Sequence, residues 1–378
     1  MSQGRKTTLA IACLVSLAAC SDAEPTRKPA PAPTAEAKPP APVTAAAVAP
    51  AEAPQDPAAV AVNGADLTQA GAKIGQADPA LIRAEVLLDR AHFSPGVIDG
   101  RDGANLSQAI HAFERAHALP EDGKLDPAVW QALTASDPGP VIQAYVITDK
   151  DVAGPFTPSI PKDLTAMSKL DRLGYAGPTE LLAEKFHMDE ALLNALNPGA
   201  DFGLAGTRIL VAAPGTGELP AKITLVEIDK GSNTLWAYGQ NGDLVAAYPA
   251  SVGSAERPAP SGEYAVRAVA PDPVYYYDPK RLTFGQDQAA GALKIAAGPN
   301  NPVGATWIAL TIPTYGIHGS PDPAVIGKRQ SHGCVRLTNW DAVELGKAIE
   351  KNAVVRFIGV ETTPAKRAAA KPKAAAAT

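Results

Sequence analysis

Between Ile317 and Leu337 the chain reads Ile-His-Gly-Ser, then a spacer, then Gln-Ser-His-Gly-Cys-Val-Arg-Leu. No other stretch constrains the fold as tightly, because its reactive groups act together only if the chain turns back on itself. Cys334 lies sixteen positions beyond His318 and two beyond His332. Of the three cysteines, Cys13 and Cys20 fall in an N-terminal segment with the marks of export. The globular part then holds one thiol and no intrachain disulfide. An unpaired cysteine in an exported protein is a hazard unless its reactivity is used, and one flanked by histidines is a candidate nucleophile. A free thiol titrates near about 8.5, so at neutral pH a neighbouring base or positive charge is needed to favour the thiolate. His318 and His332 are both candidates for that base. Gly333 permits turn geometries closed to other residues and brings backbone N–H groups close to a substrate carbonyl, where they can form an oxyanion hole.

The same side chains invite a second reading as metal ligands. A structural zinc site wants four ligands. Only His318, His332 and Cys334 present themselves here, at no spacing typical of a zinc ribbon. No metal or other cofactor is expected.

These residues resemble the signature of the L,D-transpeptidase catalytic domain, the YkuD family of bacterial cell-wall enzymes. That signature is His-Gly, a spacer, then Ser-His-Gly-Cys-x-Arg, and every element occurs here in order. The resemblance implies that Cys334 is the nucleophile and His318 the general base, with the Gly319 carbonyl orienting the imidazole. It implies that Ser331, His332 and Gly333 shape the pocket and that Arg336 helps hold the substrate peptide. The implied substrate is peptidoglycan, cut between the third residue of a stem tetrapeptide and its terminal D-Ala through a thioester. A second stem's diamino acid as acceptor gives a 3-3 cross-link. A protein lysine, such as one on an outer-membrane protein, gives anchoring to the wall, and water gives L,D-carboxypeptidase activity. The resemblance also implies inhibition by carbapenems. The alternative from another class is a non-catalytic peptidoglycan-binding lipoprotein. A pure binding protein has no chemical need to keep Ser331 and Arg336 beside the cysteine.

Residues 1–20 read as a signal peptide, with Arg5 and Lys6 ahead of an apolar run over 9–17 that is too short to span a bilayer. Leu17-Ala18-Ala19-Cys20 resembles a bacterial lipobox, which makes Cys20 the expected lipidation site; the alternative is an ordinary export signal with a chance cysteine. Ser21 after it favours sorting to the outer membrane. The expected place is therefore the periplasm, on a lipid anchor at the inner face of the outer membrane. The net charge of −5 becomes more negative once Arg5 and Lys6 are removed, which argues against a nucleic-acid partner.

Residues 21–77 are rich in Pro and Ala with few large apolar side chains and are expected to form a disordered tether. Over 78–136, apolar residues at helical spacing surround an Ile98-Asp99-Gly100 turn, and Asp126-Pro127 starts a third helix. With Leu87, Phe93, Phe113, Asp122-Gly123, Trp130 and Leu133, this segment resembles the peptidoglycan-binding type 1 module, although Ala118 replaces a frequent glycine. His92, His111, His117 and His187 are expected in surface or packing roles. Residues 140–215 resemble a degenerate LysM motif, an α+β unit with a long insertion over 148–175. From 222 to 360 alternating strands such as Ile223-Thr224-Leu225-Val226-Glu227-Ile228, an Asn241-Gly242 hairpin turn and a helix capped by Thr338 predict a mainly β, sandwich- or barrel-like catalytic domain. Two further segments, around Pro258-Ala259-Pro260-Ser261-Gly262 and Gly298-Pro299-Asn300-Asn301, extend the resemblance to L,D-transpeptidases. Residues 361–378 are expected to be a disordered tail. The fold class is thus multidomain: a three-helix wall-binding module, a LysM-like α+β segment and the catalytic domain.

Overall fold

Three helix starts in this chain are written as Asp-Pro. Asp56, Asp78 and Asp126 precede the helices α1 (Pro57–Asn63), α2 (Pro79–Arg90) and, after α3 (Ala104–Ala116), α4 (Pro127–Ser136). Each aspartate accepts a hydrogen bond from a backbone N–H of the first turn, and proline there gives up an N–H that would have had no partner. The computed structural model describes residues 56–68, 73–254, 258–280, 291–329 and 333–360. Residues 1–20 with Cys20, expected as an export signal, most of 21–77, expected as a tether, residues 361–378, expected as a tail, and Ser331 and His332 lie outside the described residues.

One expectation is corrected at once. Residues 57–63, read as part of the tether, form a docked helix. Ala59 and Val62 are fully buried, and the Asn63 amide donates to the Ile142 carbonyl while accepting from the Val141 and Ile142 N–H groups. A seven-residue Ala/Val helix offers no periodicity to the eye; its place is fixed by a partner 79 residues away.

Helices α2 to α4 pack around Ile82, Leu88, Phe113 and Leu133. The turn at 98–100 is held by the buried Glu85 carboxylate, which accepts from the Asp99 and Gly100 N–H groups at 3.0 and 2.7 Å. Next come β1 (Ile142–Val146), α5 (Asp149–Val152), α6 (Leu164–Met167), α7 (Pro178–Lys185), α8 (Glu190–Leu196) and β2 (Arg208–Ala212). β1 and β2 pair antiparallel from Ile142↔Ala212 to Val146↔Arg208, so the strand–helix–helix–strand order read from the sequence is present. The insertion carries α5 and α6. One apolar core runs through both the helical module and this middle region.

The remaining chain forms β3 (Ile223–Asp229), β4 (Thr234–Tyr238), β5 (Leu244–Pro249), β6 (Gly262–Pro271), β7 (Tyr275–Tyr277), β8 (Leu293–Ile295), β9 (Thr306–Leu310), β10 (Gly316–His318), β11 (Val335–Arg336), α9 (Asn339–Ala348) and β12 (Ile349–Ile358). Eight of these strands make one sheet in the order β11-β10-β9-β6-β12-β3-β4-β5, and β7 and β8 form a separate hairpin. β6 pairs with β12 through its first half and with β9 through its second, and a bulge between Val266 and Ala268 bends the sheet there. The bend curls the sheet until its two edges meet. Ser251, just beyond β5, exchanges both backbone hydrogen bonds with Arg336 on β11, at 2.9 and 3.0 Å. A curled, nearly closed sheet thus stands where two facing sheets were the other expectation. The enclosed core includes Val226, Ile308, Ile317, Val335 and Val355, with Ala342 and Leu345 of α9 sealing one side.

The helical module is fastened to this sheet. Phe93 pairs with Ala247 of β5, the Ser94 N–H donates to the Ala247 carbonyl at 2.9 Å, and His92 Nδ1 meets Glu344 of α9 at 2.9 Å. His111 and His117 lie against Trp236 and Phe113, and His187 pairs with Asp89 while stacking on Trp340. All four histidines therefore sit in packing roles.

Candidate active site

The two chemical anchors arrive on adjacent strands. β10 and β11 run parallel with Ile317 beside Val335 and His318 beside Arg336. Residues side by side in a sheet point to the same face and alternate along each strand. Ile317 and Val335, both fully buried, therefore fill the core, while His318 and Arg336 share the opposite face. Cys334 lies immediately before β11, and the Arg336 guanidinium that acts on His318 acts on its thiol as well, together with the Gly316 N–H. The chain reversal required by the sequence is thus a crossover between parallel neighbours.

The imidazole is fixed from two sides. Its Nδ1 lies 2.7 Å from the carbonyl oxygen of Gly319, which can only accept, so Nδ1 carries the proton and the neutral ring keeps its lone pair on Nε2. The Trp307 indole stacks on the ring with centroids 5.4 Å apart and planes 20° from parallel. Gly316 makes room for that indole, since a Cβ there would lie 2.7 Å from both the ring and the Ile308 carbonyl. Burial pushes the His318 pKa down to about 4, with the Arg336 charge adding to the effect and the Gly319 bond opposing it. At neutral pH the ring is an uncharged acceptor.

Cys334 is half-buried, and its sulfur points toward the Thr314 carbonyl at 3.9 Å. Burial pushes the thiol up, against the Gly316 N–H and the Arg336 guanidinium, which both favour the thiolate. The resting pair is therefore thiol and neutral imidazole, and proton transfer accompanies attack. Gly333 adopts φ 132°, a region that favours glycine, and its carbonyl accepts a hydrogen bond from the Tyr315 hydroxyl. Arg336 is anchored through its backbone to Ser251, and its guanidinium acts on both Cys334 and Tyr275.

The structure thus brings together Cys334, His318, Gly319, Gly333 and Arg336. It also adds residues that the motif did not name. Trp307 and Tyr315 support the histidine and the cysteine loop. Tyr275, on the β7–β8 hairpin, feels the charges of Cys334 and Arg336, and its phenol is pushed up to about 12, chiefly by burial. A cavity of about 350 Å³ lined by Tyr276, Tyr277, Leu293, Lys294 and Thr314 opens beside this hairpin. Tyr315 stands directly before Gly316-Ile317-His318, a position that could have flagged it, whereas Tyr275 carried no local signal. Among the described residues no group of three or more His, Cys, Asp or Glu side chains could hold a metal ion.

Residues 223–356 match the L,D-transpeptidase catalytic domain, YkuD, and residues 78–133 match the "Putative peptidoglycan binding domain". The "Putative L,D-transpeptidase YkuD" of Bacillus subtilis is 31% identical over 172 residues, which span 44% of this chain and 85% of that protein. Its namesake from Bacillus licheniformis is 27% identical over 170 residues, or 45% of this chain and 87% of that protein. Among solved structures, L,D-transpeptidase 3 from Mycobacterium tuberculosis aligns with 41% of this chain and 76% of its own at 15% identity and a TM-score of 0.31. The chain belongs to the L,D-transpeptidase family of YkuD type. It is an enzyme of peptidoglycan with a peptidoglycan-binding domain on the N-terminal side of its catalytic domain, and its place of work is the cell wall or periplasm.

Proposed function

We propose that Cys334 and His318 perform L,D-transpeptidation in two half-reactions. In the first, Nε2 of His318 takes the thiol proton as sulfur attacks the carbonyl carbon between the third stem residue and D-Ala. The C–N bond then breaks, the proton passes to the departing D-Ala amine, and a thioester remains on Cys334. In the second, an acceptor amine attacks the thioester and sulfur recovers its proton. No metal or nucleotide enters, because the thioester conserves the energy of the cleaved amide. The observation that carries this reading is the Nδ1 to Gly319 hydrogen bond, which leaves the basic nitrogen free on a ring that stands beside Arg336, the residue whose charge also acts on Cys334. Arg336 on the same face is suited to a stem-peptide carboxylate, and Gly333 to the developing oxyanion. Ser331 and His332 complete the pocket in this proposal.

The β-lactam ring of a carbapenem is a strained amide that the same sulfur can open. Intact-mass analysis after incubation with a carbapenem is expected to show one adduct per chain, located on Cys334. An unmodified protein, or an adduct elsewhere, would count against the assignment of the nucleophile.

We further propose that Cys20 carries a lipid that anchors the enzyme at the inner face of the outer membrane, with the stretch after it as a tether. The diamino acid of a second stem is then the acceptor for 3-3 cross-links, and an outer-membrane protein lysine the acceptor for anchoring. Cys20→Ser is expected to move the protein from the membrane to the soluble fraction of fractionated cells. Unchanged fractionation would remove the anchor.

A further inference from the structure

The Gly319 carbonyl that holds the His318 ring rests on a floor that the catalytic domain does not build alone. Gly304, Gly319 and Asn339 meet so closely that a Cβ on Gly319 would lie 2.3 Å, and one on Gly304 2.2 Å, from Oδ1 of Asn339. That Oδ1 also accepts from the Ala305 N–H at 2.9 Å. At its other end the amide donates through Nδ2 to the Pro299 carbonyl at 3.1 Å and to both carboxyl oxygens of Glu184 at 3.2 and 3.0 Å. Asn339 and Glu184 are only 4% and 7% exposed, so neither has bulk water as a ready alternative partner. An asparagine amide can face either way, and its partners decide which end points where. Glu184 accepts on one side, which sends Nδ2 toward α7 and leaves Oδ1 against Ala305 and Gly319.

Glu184 belongs to α7, in the middle region and outside the residues 223–356 that match the catalytic domain. It does not act in isolation. Glu180, one turn earlier, accepts from Asn300 Nδ2 at 2.8 Å. Leu173 exchanges backbone hydrogen bonds with Ala297 and Asn300 at 3.0 and 3.1 Å, and Gly298 approaches it so closely that a Cβ there would overlap the Leu173 carbonyl. The loop from 297 to 305, which backs the catalytic histidine, is thus gripped by the middle region along its length.

We propose that Glu184 is a positioning residue for the catalytic base: it orients Asn339, Asn339 seats Gly319, and the Gly319 carbonyl holds the His318 ring. The middle region is then a working part of the active site, whatever else it binds. This inference rests on His318 being the general base. Burial pushes the Glu184 carboxyl up to about 8, so at neutral pH it is an uncharged acid whose carbonyl oxygen accepts from Asn339. Glutamine offers the same acceptor in the same space, and methionine fills the space without a comparable acceptor.

The test compares full-length wild type, Glu184→Gln, Glu184→Met and His318→Ala on a disaccharide tetrapeptide, with thermal midpoints recorded for each. Glu184→Met is expected to lower kcat about 10- to 100-fold, the usual effect of a small misplacement of a reacting group. KM should stay within about twofold, because substrate contacts are untouched. Glu184→Gln is expected to keep wild-type kcat at pH 7. Wild-type kcat in Glu184→Met, or an equal loss in both variants, overturns the proposal. Should Glu184→Met fail to fold, Glu184→Ala decides by the same readout: a loss of kcat of about 10-fold or more at an unchanged KM is expected, and wild-type kcat overturns the proposal. An active His318→Ala would instead overturn the assignment of the base.

Discussion

Cys334→Ala is expected to abolish tetrapeptide cleavage and cross-linking while leaving the fold intact. The sulfur contributes little to stability. It is half-buried, immediately before a two-residue strand, and its hydrogen bond to Thr314 spans 3.9 Å. Losing it should change the unfolding free energy by no more than about 1 kcal/mol, as for substitutions away from a packed core. The catalytic loss is of another order, because in the proposed scheme the sulfur itself forms the bond to the substrate carbonyl. Removing the nucleophile of a comparable acyl-transfer site costs about 10⁴-fold or more in kcat. Turnover measured on purified tetrapeptide checks this, and retained turnover would remove the nucleophile from the scheme.

His318→Ala is expected to lower kcat by about 10²-fold or more, the usual consequence of losing a general base. The pH profile tests the same assignment without a mutation. The ring titrates at about 4 because it is buried beneath Trp307 and beside Arg336. Protonation below that pH removes the lone pair on Nε2, so the acid limb of kcat/KM should fall near pH 4. An acid limb near about 6.5, the ordinary histidine value, would point to an exposed ring. A larger loss in His332→Ala than in His318→Ala would exchange the roles of the two histidines.

The chemistry of this site was legible in the sequence because it is written locally. A lone thiol, two histidines and the glycines among them fall within one short stretch, and the chemical argument needs only their residue types. The strands that carry them were not legible. β10 has three residues and β11 two, too few to show an alternating pattern. Their parallel pairing follows from long-range closure of the sheet against Ser251, which no local rule reports. The longer strands β3, β4, β5 and β9 did show their pattern, and the Asn241-Gly242 turn falls between β4 and β5 as read. The β7–β8 hairpin escaped notice because three-residue strands around a long connection carry no period. Glu184 was invisible for a plainer reason. It is one of two acidic residues on a short helix, and its partner Asn339 lies 155 residues away. The helix at 57–63 was hidden by its own composition, since alanine and valine beside proline look like tether until a docking surface is known.

The helical module is docked on the catalytic sheet. A domain followed by a linker would let the catalytic unit move independently. Here the backbone of 92–94 pairs with Ala247, Asn105 Nδ2 donates to the Ile326 carbonyl at 2.9 Å, and Ser94 meets Asp341 at 3.1 Å. The segment at 326–327 is in turn bonded through the Gly327 N–H to Ser251, the residue that pairs with Arg336. Both accessory regions therefore brace the frame on which Cys334 and His318 stand.

The most direct measurement is the muropeptide profile of purified sacculi after incubation with wild-type protein or Cys334→Ala, read by mass spectrometry. The wild type should shorten tetrapeptide stems with release of D-Ala and yield 3-3 linked dimers, or tripeptides alone where water is the acceptor, while Cys334→Ala should leave the profile unchanged. Identical profiles from the two proteins would contradict the account, because the Cys334 thiol would then have no part in the reaction.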